Sequence, residues 1–283
     1  MPAPPPDARS QFATVVAVEP CGDDGVILRI APSDPSPALR AGRFYMLRRD
    51  DALSPAIPRP FSVYRQHADG TLDFLIKIMG RGTQALADST PGTKLVAVGP
   101  LGHGWNTLDG GGPAWVMLAG GIGSAPFFMA IEQALAGMDA AAPVAASDIT
   151  LLYGAAHRGL LYDFDAFAAL GVRVLAATDD GSAGFRGNVV QQLESEWQAG
   201  SIARDVRLLA CGPEPMLRAV AALAERLELP AWLSLETMMG CGVGICNGCA
   251  VPTVADGPLG AWPVAKCCVD GPVFRSDAIS IAD

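Results

Sequence analysis

Residues 114–131 of the chain read Ala-Trp-Val-Met-Leu-Ala-Gly-Gly-Ile-Gly-Ser-Ala-Pro-Phe-Phe-Met-Ala-Ile and contain no charged side chain. A charge-free stretch of this kind could be mistaken for a membrane span, but a lipid-exposed helix rarely tolerates so many glycines and a proline. We therefore predict a buried strand over Trp115–Ala119, a glycine-rich turn, and a helix that includes Phe127–Ala136. This succession decides the fold class, because it is the repeating unit of doubly wound α/β folds.

The same alternation continues toward the C-terminus. Further apolar runs are typical of buried parallel strands, namely Ile149–Tyr153, Val172–Thr178 and Val206–Ala210. Helical patterns lie among them, including Val189–Gln198 and Pro215–Glu225. Strands that alternate with helices predict a doubly wound parallel α/β domain.

Residues upstream of the turn Gly110–Pro113 follow a different pattern. Short β-branched runs alternate with clusters of Gly, Pro and Asp, which is typical of antiparallel strands in a barrel or sandwich. The predicted strands are Phe12–Val18, Gly25–Ile30, Phe44–Leu47, Phe61–Tyr64, Leu72–Met79 and Lys94–Val98. We expect a multi-domain protein of α+β and α/β class, with an antiparallel β-barrel (1–108), a doubly wound parallel α/β domain (109–232) and a small Cys-rich domain (233–283).

Five of the seven cysteines are crowded into the last predicted domain. Cys241, Cys246 and Cys249 stand in a C-x4-C-x2-C arrangement, and Cys267 and Cys268 follow. This is the plant-type spacing for a [2Fe–2S] cluster held by four thiolates. A four-cysteine zinc site and unligated thiols are the alternatives, although zinc sites usually present two short knuckles and only one occurs here. Spacing alone leaves the fourth ligand open between the two adjacent cysteines.

Composition and charge exclude several classes of function. The chain has 283 residues and a net charge of −9, without a run of Lys or Arg, which argues against a nucleic-acid-binding protein. The N-terminal residues lack the apolar core of a secretory signal, so clustered cysteines indicate a metal-binding or catalytic site rather than disulfides. We expect a cytoplasmic protein with no membrane span.

A candidate flavin site lies in the predicted barrel. Arg supplies a planar donor fork for phosphate and Ser adds a hydroxyl, and both occur in Arg59-Pro60-Phe61-Ser62. The chain continues with Leu75-Ile76-Lys77 and with Gly82-Thr83, where glycines at a helix start would let backbone N–H groups meet a pyrophosphate. Taken alone, an arginine at a strand end is more simply a solvated charge. Only the order of these pieces favours a flavin.

A candidate nucleotide site lies at two turns of the α/β domain. The first turn contains Gly120, Gly121 and Gly123 between a strand and a helix, where a pyrophosphate can sit on the helix N-terminus. Pro126 breaks the usual glycine fingerprint, so a tight packing turn is an equal alternative. The second turn ends a strand with Cys211-Gly212-Pro213. Its cysteine either lines the nicotinamide crevice or is simply a small buried side chain.

Taken in order, these pieces resemble the ferredoxin–NADP reductase superfamily across nearly the whole chain, and within it the electron-transfer subunits of class 1B dihydroorotate dehydrogenases. The resemblance is carried by the motifs above together with Gly99-Pro100-Leu101-Gly102, Thr178-Asp179-Asp180-Gly181-Ser182, Glu236, Met239-Gly240-Cys241 and Cys268-Val269-Asp270-Gly271-Pro272.

The resemblance implies three cofactors. FAD would contact Arg59 to Ser62, Leu75 to Lys77, Gly82 and Thr83, and NAD(H) would lie near the two turns of the α/β domain. The cluster ligands would be Cys241, Cys246, Cys249 and Cys268, which leaves Cys267 as an extra thiol. Arg158 could meet the 2′-phosphate of NADP, but a solvated arginine is the simpler reading.

The resemblance also implies a partner. Electrons would come from an FMN-containing dihydroorotate dehydrogenase catalytic subunit in pyrimidine biosynthesis, within a heteromeric complex such as a heterotetramer. The alternatives are the small subunit of an NADH-dependent reduced ferredoxin:NADP⁺ oxidoreductase or a hydrogenase diaphorase subunit. An interaction protein stapled by zinc and without enzymatic activity is the alternative from a different class.

Overall fold

An antiparallel sheet forms the N-terminal part of the chain, of which the computed structural model describes residues 7–51, 55–105, 108–138 and 142–281. The strands of this sheet lie in the order β4-β3-β7-β1-β2-β6-β5. β4 also packs against β6, which curls the sheet into a half-barrel. The elements are β1 (Arg9–Cys21), β2 (Gly25–Pro32), β3 (Phe44–Arg49), β4 (Arg59–Ser62), β5 (Arg65–Gln66), β6 (Leu72–Lys77), the helix α1 (Arg81–Ala87) and β7 (Lys94–Leu101).

The six strands predicted for the half-barrel are all present, with shifted ends. β4 begins two residues before the predicted start at Phe61, because Arg59 and Pro60 already pair with β3. The interior is filled by apolar side chains from facing strands, and Tyr45 and Phe74 meet edge to face with their ring centroids 5.9 Å apart. Burial of these large rings is the main source of stability for a sheet of this kind.

The second sheet is parallel apart from its last strand. Its order is β11-β10-β9-β8-β12-β13-β16. The strands are β8 (Ala114–Gly120), β9 (Ile149–Ala155), β10 (Arg173–Thr178), β11 (Phe185–Arg186), β12 (Val206–Cys211), β13 (Ala231–Ser234) and β16 (Val273–Arg275). The helices are α2 (Ala125–Ala136), α3 (Phe164–Ala169), α4 (Val189–Gln198) and α5 (Glu214–Arg226). The doubly wound α/β prediction is thereby confirmed.

The strand order reverses between β8 and β12. From β8 the chain builds outward through β9 and β10, and it then returns to place β12 and β13 on the other side of β8. Ligands of open α/β sheets bind at the carboxyl ends of the strands beside such a reversal. The carboxyl ends of β8 and β12 are Gly120 and Cys211, so both predicted nucleotide turns fall at this point.

The C-terminal segment combines a small hairpin with one strand of the second sheet. The hairpin is β14 (Ala250–Pro252) and β15 (Val264–Lys266). β16 pairs antiparallel with β13, so a strand from the predicted Cys-rich domain completes the α/β sheet. The limits of the three domains stay a prediction.

The charge-free stretch that opened the sequence folds as predicted into β8, a short 3-10 turn and α2. α2 has 12 residues, and most of its side chains are buried in the core. Within the described parts of the chain, no helix has the length and apolarity needed to cross a membrane.

Candidate functional site

A cleft of about 880 Å³ lies between the half-barrel and the carboxyl ends of the parallel strands. Both groups of residues predicted to hold dinucleotides line it, and Ile76 is the exception because its side chain is fully buried in the core. The predicted residues that line the cleft are Arg59, Pro60, Phe61, Ser62, Leu75, Lys77, Gly82, Thr83, Gly120, Gly121, Gly123, Cys211, Gly212 and Pro213.

The half-barrel side of the cleft is built where β4 meets β6. Arg59 is exposed at the start of β4, and its guanidinium donates to the carbonyl of Ile57 at 2.8 Å. A Cβ atom on Gly82 would lie 3.6 Å from Cγ of Arg59, so α1 begins in contact with this arginine. The Thr83 hydroxyl accepts the backbone N–H groups of Met79 and Gly80 and thereby fixes the turn before α1. A cationic side chain beside a backbone turn is suited to bind phosphate.

The two turns of the α/β domain pack against each other. A Cβ atom on Gly123 would lie 2.3 Å from the carbonyl oxygen of Cys211, and one on Gly120 would lie 2.7 Å from Cδ of Pro213. These two glycines are therefore required by close packing, as the alternative reading of the sequence proposed. Gly121 differs, because its φ is +54° and a Cβ atom there would meet nothing within 4 Å. Its backbone lies open to the cleft.

Cys211 lines the cleft beside two polar residues, Ser234 and Glu236. It is directly opposite Ser234 in the pairing of β12 with β13. Burial raises the pKa of the Cys211 thiol to about 12, against a smaller opposing effect of a hydrogen bond with Ser234, so the thiol stays neutral. Glu236 follows along the same wall. The cleft thus holds an uncharged, polarizable group where the parallel strands reverse their order.

Sequence reasoning did not assign several residues that line the cleft to a binding site. Asp179 and Glu236 entered only as part of the family resemblance, and Tyr162, Asn188 and Ser234 were not singled out. Ser234 ends β13, a strand of four residues that the sequence pattern did not predict. The rule that ligands bind at the carboxyl ends of parallel strands would have identified it, had the strand been recognised.

The predicted cluster ligands form two pairs of thiols. The sulfur of Cys241 accepts the backbone N–H of Cys246 at 3.4 Å. Burial disfavours the Cys241 thiolate, but N–H groups of Cys246 and Val243 outweigh burial and lower its pKa to about 7. In the second pair, the sulfurs of Cys249 and Cys268 are 3.2 Å apart. The hydrogen bond from Cys268 lowers the pKa of Cys249 to about 6 and raises the pKa of Cys268 itself.

This arrangement fits a [2Fe–2S] cluster better than a single metal ion. Two thiolates on each of two irons require two pairs of sulfurs rather than one convergent group of four. Gly242 and Gly244 have φ values of +71° and +81°, which only glycine adopts readily, and they turn the loop around the sulfurs.

Cys267 differs from its neighbour Cys268 in the direction of its side chain. Its sulfur is fully buried and lies 3.6 Å from the carbonyl oxygen of Leu235. Burial raises the pKa of the Cys267 thiol to about 12. The Cys268 sulfur, in contrast, meets Cys249. The geometry therefore distinguishes two thiols that spacing could not.

The cysteine loop begins at the rim of the cleft. Met239 lines the cleft, and Cys241 follows two residues later, which is at most about 7 Å of extended chain. A Cβ atom on Gly242 would lie 2.6 Å from Cγ of Met46 and 3.0 Å from Cδ1 of Leu101, so the loop packs directly on the half-barrel. The cleft and the cysteine pairs are neighbouring parts of one site.

Comparison with known proteins agrees with this geometry. Residues 236–280 match the family model described as the iron–sulfur cluster binding domain of dihydroorotate dehydrogenase B. The chain is 31% identical to the electron transfer subunit of dihydroorotate dehydrogenase B (NAD(+)) from Desulforamulus reducens, covering 83% of this chain and 84% of that protein. It is 35% identical to the subunit of the same name from Geobacillus thermodenitrificans, over 84% and 86% of the two chains.

Solved structures share the fold. A chain from the structure of an NADH-dependent reduced ferredoxin–NADP oxidoreductase, studied for flavin-based electron bifurcation, superposes with a TM-score of 0.76 at 25% identity. The match covers 94% of this chain and 89% of that one. A ferredoxin NADP⁺ reductase from Neisseria gonorrhoeae with bound FAD and NADP matches over 78% and 92%, with a TM-score of 0.62 at 20% identity. This last likeness concerns the fold alone.

Proposed function

The chain belongs to the family of dihydroorotate dehydrogenase B electron transfer subunits, and we propose that it carries electrons from a catalytic partner subunit to NAD⁺. The observation that supports this most directly is the single cleft lined by both dinucleotide motifs, with the cysteine pairs at its rim. When bound, FAD would exchange hydride with a nicotinamide and single electrons with an iron–sulfur cluster. A chain that holds the flavin beside the iron–sulfur cluster can therefore connect one-electron transfer at the cluster with hydride transfer to the nicotinamide.

The residues have distinct tasks in this proposal. Arg59 and the turn around Gly82 would bind the phosphates of FAD, with Lys77 as a second cation in the cleft. The open backbone at Gly121 would face the dinucleotide of NAD(H). Neutral Cys211 would line the nicotinamide crevice without placing a charge there. Cys241, Cys246, Cys249 and Cys268 would ligate the cluster.

The partner would dock where the cysteine loop reaches the surface. Cys246 is exposed, and the neighbouring apolar side chains of Met238 and Ile245 are 88% and 80% exposed. Exposed apolar side chains beside a redox centre are suited to a heteromeric interface. We propose an FMN-containing catalytic subunit that oxidises dihydroorotate as this partner. The cytoplasm is the proposed compartment, because clustered cysteines that would hold a metal cluster rather than disulfides are typical of a reducing environment.

Anaerobic reconstitution tests the function. We expect the purified full chain to take up about one FAD and about two irons with their sulfides, and to show the EPR signal of a reduced [2Fe–2S] centre. NADH should then reduce a dye acceptor through the bound flavin. Zinc without iron or flavin would contradict the proposal and support an interaction protein instead.

A second candidate function involves the same cofactors but a different partner protein. The similarity to a chain of the NADH-dependent reduced ferredoxin–NADP oxidoreductase over 94% of this chain favours it. Co-purification from the native host distinguishes the two. An FMN-containing partner subunit would support dihydroorotate oxidation, whereas a larger partner with FAD and [4Fe–4S] clusters would support the alternative.

Asp179 is expected to select NADH over NADPH. It lines the cleft directly after β10, whereas the exposed Arg158 is not part of the cleft wall. A carboxylate near the adenine ribose accepts a hydroxyl hydrogen bond and repels a 2′-phosphate. For Asp179→Asn we expect the ratio of kcat/KM for NADPH over NADH to rise about tenfold.

The matched control is Asp180→Asn, at the adjacent position outside the cleft. The Asp180 carboxylate accepts the backbone N–H of Ser182 at 2.8 Å, and an asparagine can keep that hydrogen bond. Its kcat/KM ratio should stay unchanged. An equal rise in both variants would show that the general loss of negative charge matters rather than a contact at Asp179.

A further inference from the structure

A tight turn of the half-barrel docks onto the α/β domain beside the cleft. The turn joins β1 to β2, and its Asp23 N–H donates to the carbonyl of Gly159 at 2.9 Å. The ring of Tyr162 sits against this turn, where a Cβ atom on Gly22 or Gly25 would lie 2.9 Å from it. The half-barrel side and the α/β side of the cleft meet at this turn, and we call this contact the seam.

Asp24 in this turn uses all of its oxygen atoms at the seam. The Tyr162 hydroxyl donates to Oδ1 at 2.5 Å, and the Nζ of Lys77 lies 3.5 Å from Oδ2. The backbone oxygen accepts the N–H of Ile78 at 2.8 Å, which fixes the chain just after Lys77. Tyr162 and Lys77 both line the cleft, and they belong to opposite sides of it.

The contact extends from Tyr162 to the glycine turn. Its backbone oxygen accepts the hydroxyl of Tyr153 at 3.1 Å, and that hydroxyl lies 2.8 Å from the Oγ of Ser124. Tyr153 and Ser124 are fully buried, so their hydrogen bonds are shielded from water. A continuous set of contacts therefore joins Lys77 on the half-barrel side to the turn on the α/β side.

A lysine whose side chain is already ordered binds a cofactor more tightly than one that is free to rotate. A lysine side chain has four rotatable bonds, and fixing them on binding costs conformational entropy that weakens affinity. The Lys77 side chain is about one third exposed, at 32%, so an ion pair at this position adds little to fold stability. The ion pair matters instead for position, because it holds the Lys77 ammonium at the cleft wall.

We propose that Asp24 is a positioning residue whose carboxylate holds the ammonium of Lys77 at the cleft wall while anchoring Tyr162 across the seam. Lys77 is thereby presented to FAD with its side chain ordered before the cofactor binds. This inference rests on the proposed function, in which FAD occupies the half-barrel side of the cleft. It adds to that function a residue that lies outside the cleft and acts through a residue within it.

A double-mutant cycle on the full chain tests the inference, with FAD affinity measured by flavin fluorescence. Asp24→Asn keeps an acceptor for Tyr162 but removes the charge that holds Lys77, and we expect it to weaken FAD binding about fivefold. In a Lys77→Met background the same change should have an effect of less than about twofold. Asp23→Asn, in the same turn but with a 64% exposed side chain, is the matched control and should bind FAD normally.

The reduction potential of the bound flavin is the second measurement, because it depends on the charges beside the flavin. Asp24→Asn should shift the potential clearly more in the wild-type background than in the Lys77→Met background. Equal effects of Asp24→Asn in both backgrounds, or FAD affinity and potential like those of Asp23→Asn, would overturn the positioning role. If the wild-type chain itself bound no FAD, the proposed function would fail first, and the two failures are thus distinguishable.

Discussion

Replacing Cys249 with serine is expected to remove the iron–sulfur cluster and with it electron transfer from the partner. Cys249 is buried and its sulfur pairs with that of Cys268, so the variant loses one thiolate from a pair that would hold one iron. Changes outside the ligand shell already cost ~10–100-fold in metal affinity, and loss of a ligand should cost more. Iron and sulfide analysis and the EPR signal of the reduced centre measure the result.

The flavin reaction provides the internal reference for this variant. NADH-dependent reduction of a dye should persist in Cys249→Ser, because the cleft residues are unchanged. The loop between Leu235 and Cys249 should become sensitive to proteolysis, since it is rich in glycine and cysteine, has no regular secondary structure and would be ordered by the bound cluster. A variant that keeps its full iron content would refute the assignment of Cys249 as a ligand.

Cys267→Ser is the matched control. The Cys267 sulfur donates to the carbonyl of Leu235, whereas it is the Cys268 sulfur that meets Cys249, so replacement of Cys267 should leave the cluster in place. Cys268→Ser should behave like Cys249→Ser. If iron were retained in Cys268→Ser and lost in Cys267→Ser, the adjacent thiols would have the opposite roles.

The parts of the fold that the sequence predicted well are those fixed by local interactions. α4 has the predicted limits Val189–Gln198 because Asn188 caps it. The Asn188 side chain accepts the N–H groups of Val190 and Gln191, and the Gln191 side chain accepts the N–H of Asn188 in return. Such a capping box lies within four residues, so the sequence alone specifies it.

The parts that could not be predicted depend on distant contacts. β16 has three residues, which are too few to show a periodic pattern in the sequence. It forms by pairing with β13, where Phe274 lies opposite Leu233. The hydrogen bond from Tyr162 to Asp24 joins residues 138 positions apart. Which of Cys267 and Cys268 meets Cys249 likewise depends on the conformation of the chain after β15. There the Asp270 carboxylate accepts the backbone N–H of Lys266. The spacing of residues along the sequence identifies candidates for a site, whereas the packing of remote segments decides which of these candidates belong to it.

Two glycines of the turn between β8 and α2 are expected to have different roles, Gly123 in close packing and Gly121 in access of the ligand to the backbone. For Gly123→Ala we expect the free energy of unfolding to fall by about 3 kcal/mol, because the new methyl would lie 2.3 Å from a backbone oxygen that cannot move alone. Gly121→Ala should cost about 1 kcal/mol, the strain of a side chain at positive φ. Urea denaturation of the full chain measures both values.

NADH affinity is the second property measured, and it tests whether Gly121 faces the ligand. The methyl of Gly121→Ala would project from the turn into open space at the cleft, where it would keep the dinucleotide from the backbone N–H groups. We expect about tenfold weaker NADH binding from a variant that stays folded. If Gly121→Ala bound NADH normally while Gly123→Ala was strongly destabilised, the glycines of this turn would serve only the packing of β8 against β12. Weakened binding in Gly121→Ala would instead mean that one glycine faces the nucleotide while its neighbours hold together the two strands between which the sheet order reverses.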